Sequence, residues 1–363
     1  MIDTIVIQLE PPVTDYLNLS MFQSEKEFGK KHYFKAVYNP PKTDGYGPCL
    51  TYTSRTFGSQ TLSIQFSVPK LLYSNNFDEV EDDDFEKIVQ IIRKYLIRFN
   101  LYVRSDQIKE APVRVINYSK NIILTDHCTC SMIMRELRKA DISKMVDITE
   151  REYKNGGQTL YFHTNSSQFV IYDKIKELES AKISEKRSVD KSSAIQLNLL
   201  EQLIEEPLEV LRLEVRLNDK RKIKQTLESL GLKKNISFES LFKQNIAKFM
   251  LLHYWEDVSA GLNLVDLGKK APIDSLETIT KNNPKLSRQK ALAIIGAAII
   301  INENGSRAIR NIIESKWNTK EWYRQKNDLL RLVGPKTAKL EYINMVEKSL
   351  LEFKKLSYAI IKQ

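Results

Sequence analysis

The stretch "VLRLEVRL", Val210–Leu217, alternates without a break, with Leu211, Leu213, Val215 and Leu217 on one side and Arg212, Glu214 and Arg216 on the other. Side chains along a strand point alternately to opposite faces, so this run predicts a sheet with one apolar and one polar face. An antiparallel sheet allows that arrangement, because its helices can be confined to one side. Two further segments carry the same signature. In "TLSIQFSVPKLLY", Leu62, Ile64, Phe66 and Val68 oppose Thr61, Ser63, Gln65 and Ser67. In "QFVIYDK", Phe169 and Ile171 oppose Gln168, Val170, Tyr172 and Lys174. The expectation is an α+β fold: an antiparallel sheet with helices packed on one face and the other face open to a ligand.

The rest of the chain fits around that sheet. "DEVEDDDFEKIVQIIRKYLIRFNLYV" is an amphipathic helix with Asp82–Asp84 at its positive end and Arg93, Lys94 and Arg98 toward the other. Matching the helix dipole explains those charges without a function. "APVRVINYSKNIILTD" reads as a strand, "SMIMRELRKADI" as a helix, and "NGGQTLYFHTNSSQFVIYDK" as a hairpin turning at "TNSS". The polar run Ser180–Ala194 is the candidate for a mobile loop. From Ile236 onward the pattern is helical almost throughout. At 363 residues there is room for two domains, expected as an α+β unit over 1–235 and a helical unit over 236–363.

Composition narrows the function classes. Hydrophobic residues make up 42% and charged residues 28%, as in ordinary globular proteins. The longest apolar run, "ALAIIGAAIII", is half the length a membrane helix needs, about 20 residues. The start, "MIDTIVIQLEPP", lacks the basic region of a signal peptide and reads as a strand. Three cysteines argue against a disulfide framework. Cys128 and Cys130 lie beside His127, but a zinc site needs a fourth ligand that no partner motif supplies. The net charge is +10, and residues 236–363 hold 21 Lys/Arg against 13 Asp/Glu, so most of the excess lies there. A polyanion partner, most simply nucleic acid, is expected.

If the polar rows share one face, that face carries a hydroxyl able to attack, cations for a phosphate and a carboxylate for a metal. Each feature has an ordinary counterpart. Tyrosine is favoured in strands, and Arg-Glu-Arg on a strand is usually a solvated ladder. His127, His163 and His253 form no His-x-His pair. Composition and spacing therefore reach a basic α+β protein of nucleic-acid-binding type and stop there.

The order of segments adds a resemblance. "MIDTIVIQL", "LSIQFSVPKLLYSNNF", "RVINYSKNI", "QFVIYDKIKELE", "VLRLEVRLNDKRKIKQTLESLGL" and "KLSRQKALAIIGAAIIINENGSRAIRNII" run collinearly over most of the chain. In that order the chain resembles the gene II/gene X replication-associated initiators of filamentous phages and, more distantly, plasmid trans-acting rolling-circle initiators. The resemblance implies a nickase whose tyrosine, at Tyr172, attacks one strand of origin DNA. The products are a 5′-phosphotyrosyl link and a free 3′-hydroxyl that primes synthesis. Lys174 would lower the tyrosine pKa or neutralise the phosphate, Glu214 would hold Mg²⁺ or Mn²⁺, and Arg212 and Arg216 would clamp phosphate.

Two positions depart from the family pattern: Gln65 and Asn117 stand where carboxylates are usual, and neutral amide oxygens bind a hard cation less strongly. These amides favour the rival reading, a non-catalytic origin-binding or repressor-type protein of the same fold. In the basic C-terminal part, "RQKALAIIGAAIIINENGSRAIRNIIESK" is either a helix-turn-helix, with Arg307 and Arg310 as DNA contacts, or plain bundle packing. The resemblance further implies origin duplex and single-stranded DNA, host helicase and host polymerase as partners, and the cytoplasm of a bacterial host as the location.

Overall fold

The computed structural model describes residues 1–11, 16–25, 33–41, 45–55, 60–125, 128–142, 145–152, 158–183, 208–262, 272–332 and 341–358. Ten strands form one sheet: β1 Ile2–Leu9, β2 Gln23–Glu25, β3 Tyr33–Tyr38, β4 Cys49–Arg55, β5 Thr61–Ser67, β6 Val113–Ile123, β7 Asp147–Glu152, β8 Gln158–His163, β9 Ser167–Asp173 and β10 Val210–Leu217. Their spatial order is β2-β3-β4-β5-β1-β6-β10-β9-β8-β7. Every pairing of neighbours is antiparallel. The α+β class and the antiparallel sheet are as the alternation predicts.

Thirteen α-helices are described: α1 Val68–Tyr73, α2 Phe85–Ile97, α3 Ser105–Lys109, α4 Cys130–Leu137, α5 Lys174–Ile183, α6 Lys220–Ser229, α7 Phe238–Leu241, α8 Gln244–Ala260, α9 Pro272–Asn282, α10 Arg288–Asn304, α11 Ser306–Lys316, α12 Thr319–Leu332 and α13 Glu341–Glu352. Side-chain oxygens cap several of them. Thr129 accepts from the Met132 N–H, Asp219 from Lys222, Ser237 from Ser240 and Ser287 from Lys290, each satisfying an N–H that the first helical turn leaves unpaired. One expected strand ends early. The alternation carries β5 on through Val68, but Pro69 in the first turn suits a helix start, and the chain enters α1.

The apolar rows meet the helices. Ile5, Ile7, Leu62, Ile64, Leu211, Leu213 and Val215 share a single core with Ile88 and Ile92 of α2, Ile223 and Leu227 of α6, and Trp255 of α8. That core also takes in Phe238, Phe242, Met250, Leu251, Ile343, Val346 and Leu350. The expected boundary at 235/236 is therefore displaced: α7, α8 and α13 complete the core of the sheet body. A second core, built on Ile294, Ala298, Ile301, Ile309, Ile313, Trp322 and Leu329, belongs to α9–α12 alone. The separate helical unit is thus the insertion 272–332. The Ser180–Ala194 loop expected to be mobile lies, from Ser184 on, outside the described residues, as does His127.

Gly305 joins α10 to α11 as a one-residue turn with φ +86. A Cβ built there would lie 2.6 Å from the Lys139 backbone, so the turn needs glycine both for its dihedral and for the close approach to the sheet body. A helix-turn-helix joins its helices through three or four residues. The single-residue link and the shared core make α10–α11 bundle packing, the second of the two expected alternatives.

Candidate functional site

Strand register fixes which polar residues meet. Arg212 lies opposite Tyr172 on β9 and Asn121 on β6; Glu214 lies opposite Val170 and Ser119; Arg216 lies opposite Gln168 and Asn117. Directly opposed residues have Cβ atoms about 5 Å apart, so Tyr172, Arg212, Asn121 and Ser119 form one patch. The face is open along Gln65, Asn117, Gln168 and Arg216, which reach solvent in whole or part. Around the tyrosine it is closed: Tyr172 is 8% exposed, Arg212 and Glu214 2% each, and Lys174 0%.

Arg212 is the hub. Its Nη1 donates to the Asn76 carbonyl (2.9 Å) and Asn121 Oδ1 (3.2 Å), and its Nη2 to Ser119 Oγ (3.0 Å). Asp3 Oδ1 lies 3.0 Å from the same Nη2. A register shift in β1 between Ile2 and Ile5 accompanies this placement of Asp3 beside Arg212 while Ile2 and Ile5 both remain in the core. Arg212 Nε is buried and has no hydrogen-bond partner among the described residues.

Lys174 opens α5. Its ammonium donates to Glu177 Oε2 (2.8 Å) and Asn76 Oδ1 (3.0 Å), 6.0 Å from the centre of the Tyr172 ring. Burial lowers its pKa against the attraction of Glu177. The Tyr172 phenol lies across the strand pair from Arg212. Burial pushes its pKa well above the ordinary tyrosine range; the Arg212 guanidinium opposes that shift, and Glu214, Glu177 and Asp3 add to it. The expectation that Lys174 lowers the tyrosine pKa is corrected: the phenol is raised, and the opposing cation is Arg212.

The expected metal trio does not assemble. Gln65 is on β5, three places from β10 in the sheet, so it lies about 14 Å sideways from the strand of Glu214 at ordinary strand spacing. Its own partners are Cys49 and Val6. Asn117 is a diagonal neighbour of Glu214, and its Oδ1 is buried without a hydrogen bond among the described residues. Both Glu214 oxygens are taken by Arg216, whose Nε and Nη2 donate at 3.0 and 3.1 Å. A carboxylate held in an arginine fork has already found its cation, so Glu214, Asn117 and Gln65 do not fit a Mg²⁺ or Mn²⁺ site. Arg216, expected to clamp phosphate, closes that fork instead.

Among the described residues, ligand-type atoms cluster elsewhere: Cys130, Asp173 and Glu209 each offer one atom, all within 4.8 Å of one another. Both carboxylates cap helix starts, Glu209 on the Cys130 N–H (3.0 Å) and Asp173 on the Lys176 N–H (2.9 Å). Burial foremost, helped by Glu209, raises the Asp173 carboxyl to about 6.

Arg307 and Arg310 turn inward. Arg310 forms a salt bridge with Asp141 (2.5 Å) and donates to the Ile142 carbonyl; Arg307 donates to the Val146 carbonyl. They dock the helical unit on the sheet body, which corrects the expectation that they contact DNA.

Sequence reasoning missed Asn76, Asp3, Ser119 and Asn121. Ser119 and Asn121 stand two and four places from Asn117 on β6, so the same alternation pointed to them. Asp3 is hidden by the irregular register of β1, and Asn76 lies in a loop where no periodicity applies. No protein-family model matches the chain, and no curated protein matches it.

Proposed function

We propose that this chain initiates rolling-circle DNA replication, with Tyr172 as the nucleophile that breaks one strand at an origin. The observation that carries the reading is a buried phenol set across the strand pair from a buried arginine whose Nε–H is without a partner among the described residues. In a cluster where the neighbouring charges are paired, that donor beside the phenol remains for a substrate. The tyrosine oxygen bonds to phosphorus as the bond to the 3′-oxygen breaks. The phenol proton leaves to solvent, and the departing oxygen takes up a proton. The products are a 5′-phosphotyrosyl link and a 3′-hydroxyl that a host polymerase, with a host helicase ahead of it, can extend. Arg212 faces the charge that builds on the phosphoryl oxygens. No step runs through a metal, because the expected ligands do not fit one.

The test is incubation of the full chain with supercoiled DNA of its native replicon, with and without Mg²⁺ or Mn²⁺. Nicked circles carrying covalent protein are expected. Tyr172→Phe should lose the adduct and keep DNA binding.

The second reading, a non-catalytic origin-binding or repressor-type protein, is favoured by the burial of Tyr172 and its raised pKa. Retained DNA binding with no adduct under any metal condition would establish it. Among the described residues no helix is long and apolar enough to cross a membrane; a bacterial host cytoplasm belongs to the proposal.

A further inference from the structure

The two cations nearest Tyr172 are both held by one residue of a loop. Asn76 offers its backbone carbonyl to Arg212 Nη1 (2.9 Å) and its side-chain Oδ1 to Lys174 Nζ (3.0 Å). Two oxygens of one residue, its carbonyl and its side-chain amide, thus meet a guanidinium and an ammonium, the donor types that also bind the oxygens of a phosphate. The loop is not held by this bridge alone. Ser74 adopts a left-handed φ of 58 at the end of α1, and Asn75 Oδ1 accepts from the N–H groups of Phe77 and Asp78. Asn121 ties the far side down, its N–H donating to Glu79 and its amide to the Phe77 carbonyl. Asn76 sits between these anchors and is only partly buried, whereas its neighbours Asn75 and Phe77 are buried. The anchored flanks also fix the Asn76 carbonyl on Arg212, because it shares a planar peptide with the Phe77 N–H, and leave the side chain as the part of Asn76 able to turn away from Lys174.

A second observation points to an oxyanion at the same place. Arg212 is 2% exposed, yet its Nε–H lacks an acceptor among the described residues. A buried unpaired donor is destabilising, the more so on a charged group. Arg212 therefore has capacity for one more oxygen while Asn76 already occupies its Nη1.

We propose that the Asn76 side chain is a built-in stand-in for a substrate phosphate oxygen, an autoinhibitory plug that caps Lys174 until a phosphodiester displaces it beside Arg212. The ligand class is a phosphodiester oxyanion, and that choice rests on the DNA-acting reading of the same site. When the side chain withdraws, Lys174 keeps Glu177 as its partner and Arg212 keeps the Asn76 carbonyl, Asp3, Ser119 and Asn121, so neither cation is stranded.

The experiment uses the full chain carrying Tyr172→Phe, so that binding is read without chemistry, and a fluorescent ten-residue oligothymidylate as the probe. Asn76→Ala removes the oxygen on Lys174 and should tighten binding about three- to tenfold. Asn76→Asp replaces it with a carboxylate that holds Lys174 more firmly, and should weaken binding by a similar factor. Opposite signs from two substitutions at one residue are not what a purely structural role gives. Equal or weaker binding by Asn76→Ala, with an unchanged unfolding midpoint, would overturn the proposal. If Asn76→Ala does not fold, Asn76→Ser decides by the same criterion, since its side chain is too short to reach Lys174. The oligonucleotide result stands apart from the adduct assay: an adduct with no effect at Asn76 removes the plug alone, whereas the two opposite shifts without an adduct remove the nickase reading alone.

Discussion

The sheet body and the helical insertion 272–332 use arginine in different ways. In the body, Arg212 lies on a polar strand row, faces Tyr172, and keeps one donor without a partner among the described residues. In the insertion, Arg307 and Arg310 bind carbonyls and a carboxylate of the body, each also keeping one buried donor without a partner among the described residues, and the helix that carries them is a docking element. A net count of positive charge treats these arginines alike. Strand register separates them: Arg212 is set across from Tyr172 on the polar sheet face, whereas the other two are turned to the seam between insertion and body.

The largest effect expected is at Tyr172. With Phe there, covalent attachment to replicon DNA should fall below detection on a denaturing gel, while band-shift affinity stays within about twofold. In the unmodified chain, attachment should rise roughly tenfold per pH unit between 7 and 9, because the tyrosinate fraction grows by that factor when the pKa lies above the range. A flat profile would assign the attack to another group. Next in size is the docking pair. Arg310→Ala leaves Asp141 buried without its cation and should cost about 3–5 kcal/mol where the units meet. Limited proteolysis should then release the insertion, whereas Tyr172→Phe should not change the digestion pattern. Equal protease resistance would mean the two cores are held by other contacts.

A smaller effect tests Asp173. Its folded pKa of about 6 stands above the ordinary carboxylate value, so the folded state keeps a proton that the unfolded chain gives up. Stability is then greatest at low pH and falls as pH rises from about 4 through 6, by up to about 3 kcal/mol. Asp173→Asn stays neutral and keeps an oxygen for the Lys176 N–H. It should raise the unfolding midpoint at pH 7.5 and change it little at pH 4.5. A lower midpoint at both values would show that Asp173 works as an anion, its charge compensated beside Cys130 and Glu209.

Much of this was legible from alternation alone. A period of two predicts Leu211 inward and Arg212 outward whatever the rest of the chain does, and the same rule placed Tyr172 and Gln65 on the same face. It says nothing about how far apart two strands of that face lie, so the grouping of Gln65 with Glu214 failed on strand order. Nor does it show that Arg216 would fold back on Glu214 two residues away. The boundary at 235 failed for a related reason. The apolar residues of α8 advertise a buried face without saying which core receives it, and Trp255 enters the sheet body. Asn76 had no periodic context, and only the folded chain brings it against residues 98 and 136 positions away.

The smallest effect concerns the charge that does reach solvent on the insertion. Lys281, Lys285 and Arg288 flank the turn between α9 and α10, and all three are exposed. If the insertion meets duplex phosphates, these residues are placed to do so, in contrast to Arg307 and Arg310. Removing one cation from a phosphate should flatten the dependence of log affinity on log salt by about 0.9, so replacing all three with Ala should reduce the slope by at most about 2.7. Band shifts across roughly 50 to 200 mM salt are sufficient to read that change. Folding should be unaffected, because none of the three enters either core. The same series on Arg310→Ala separates DNA binding from docking: a docking residue should change protease sensitivity first and the salt slope only through release of the insertion. If the triple variant keeps the parental slope, the insertion's surface charge serves solvation, and duplex contacts must be sought on the open end of the polar sheet face, near Gln65 and Asn117.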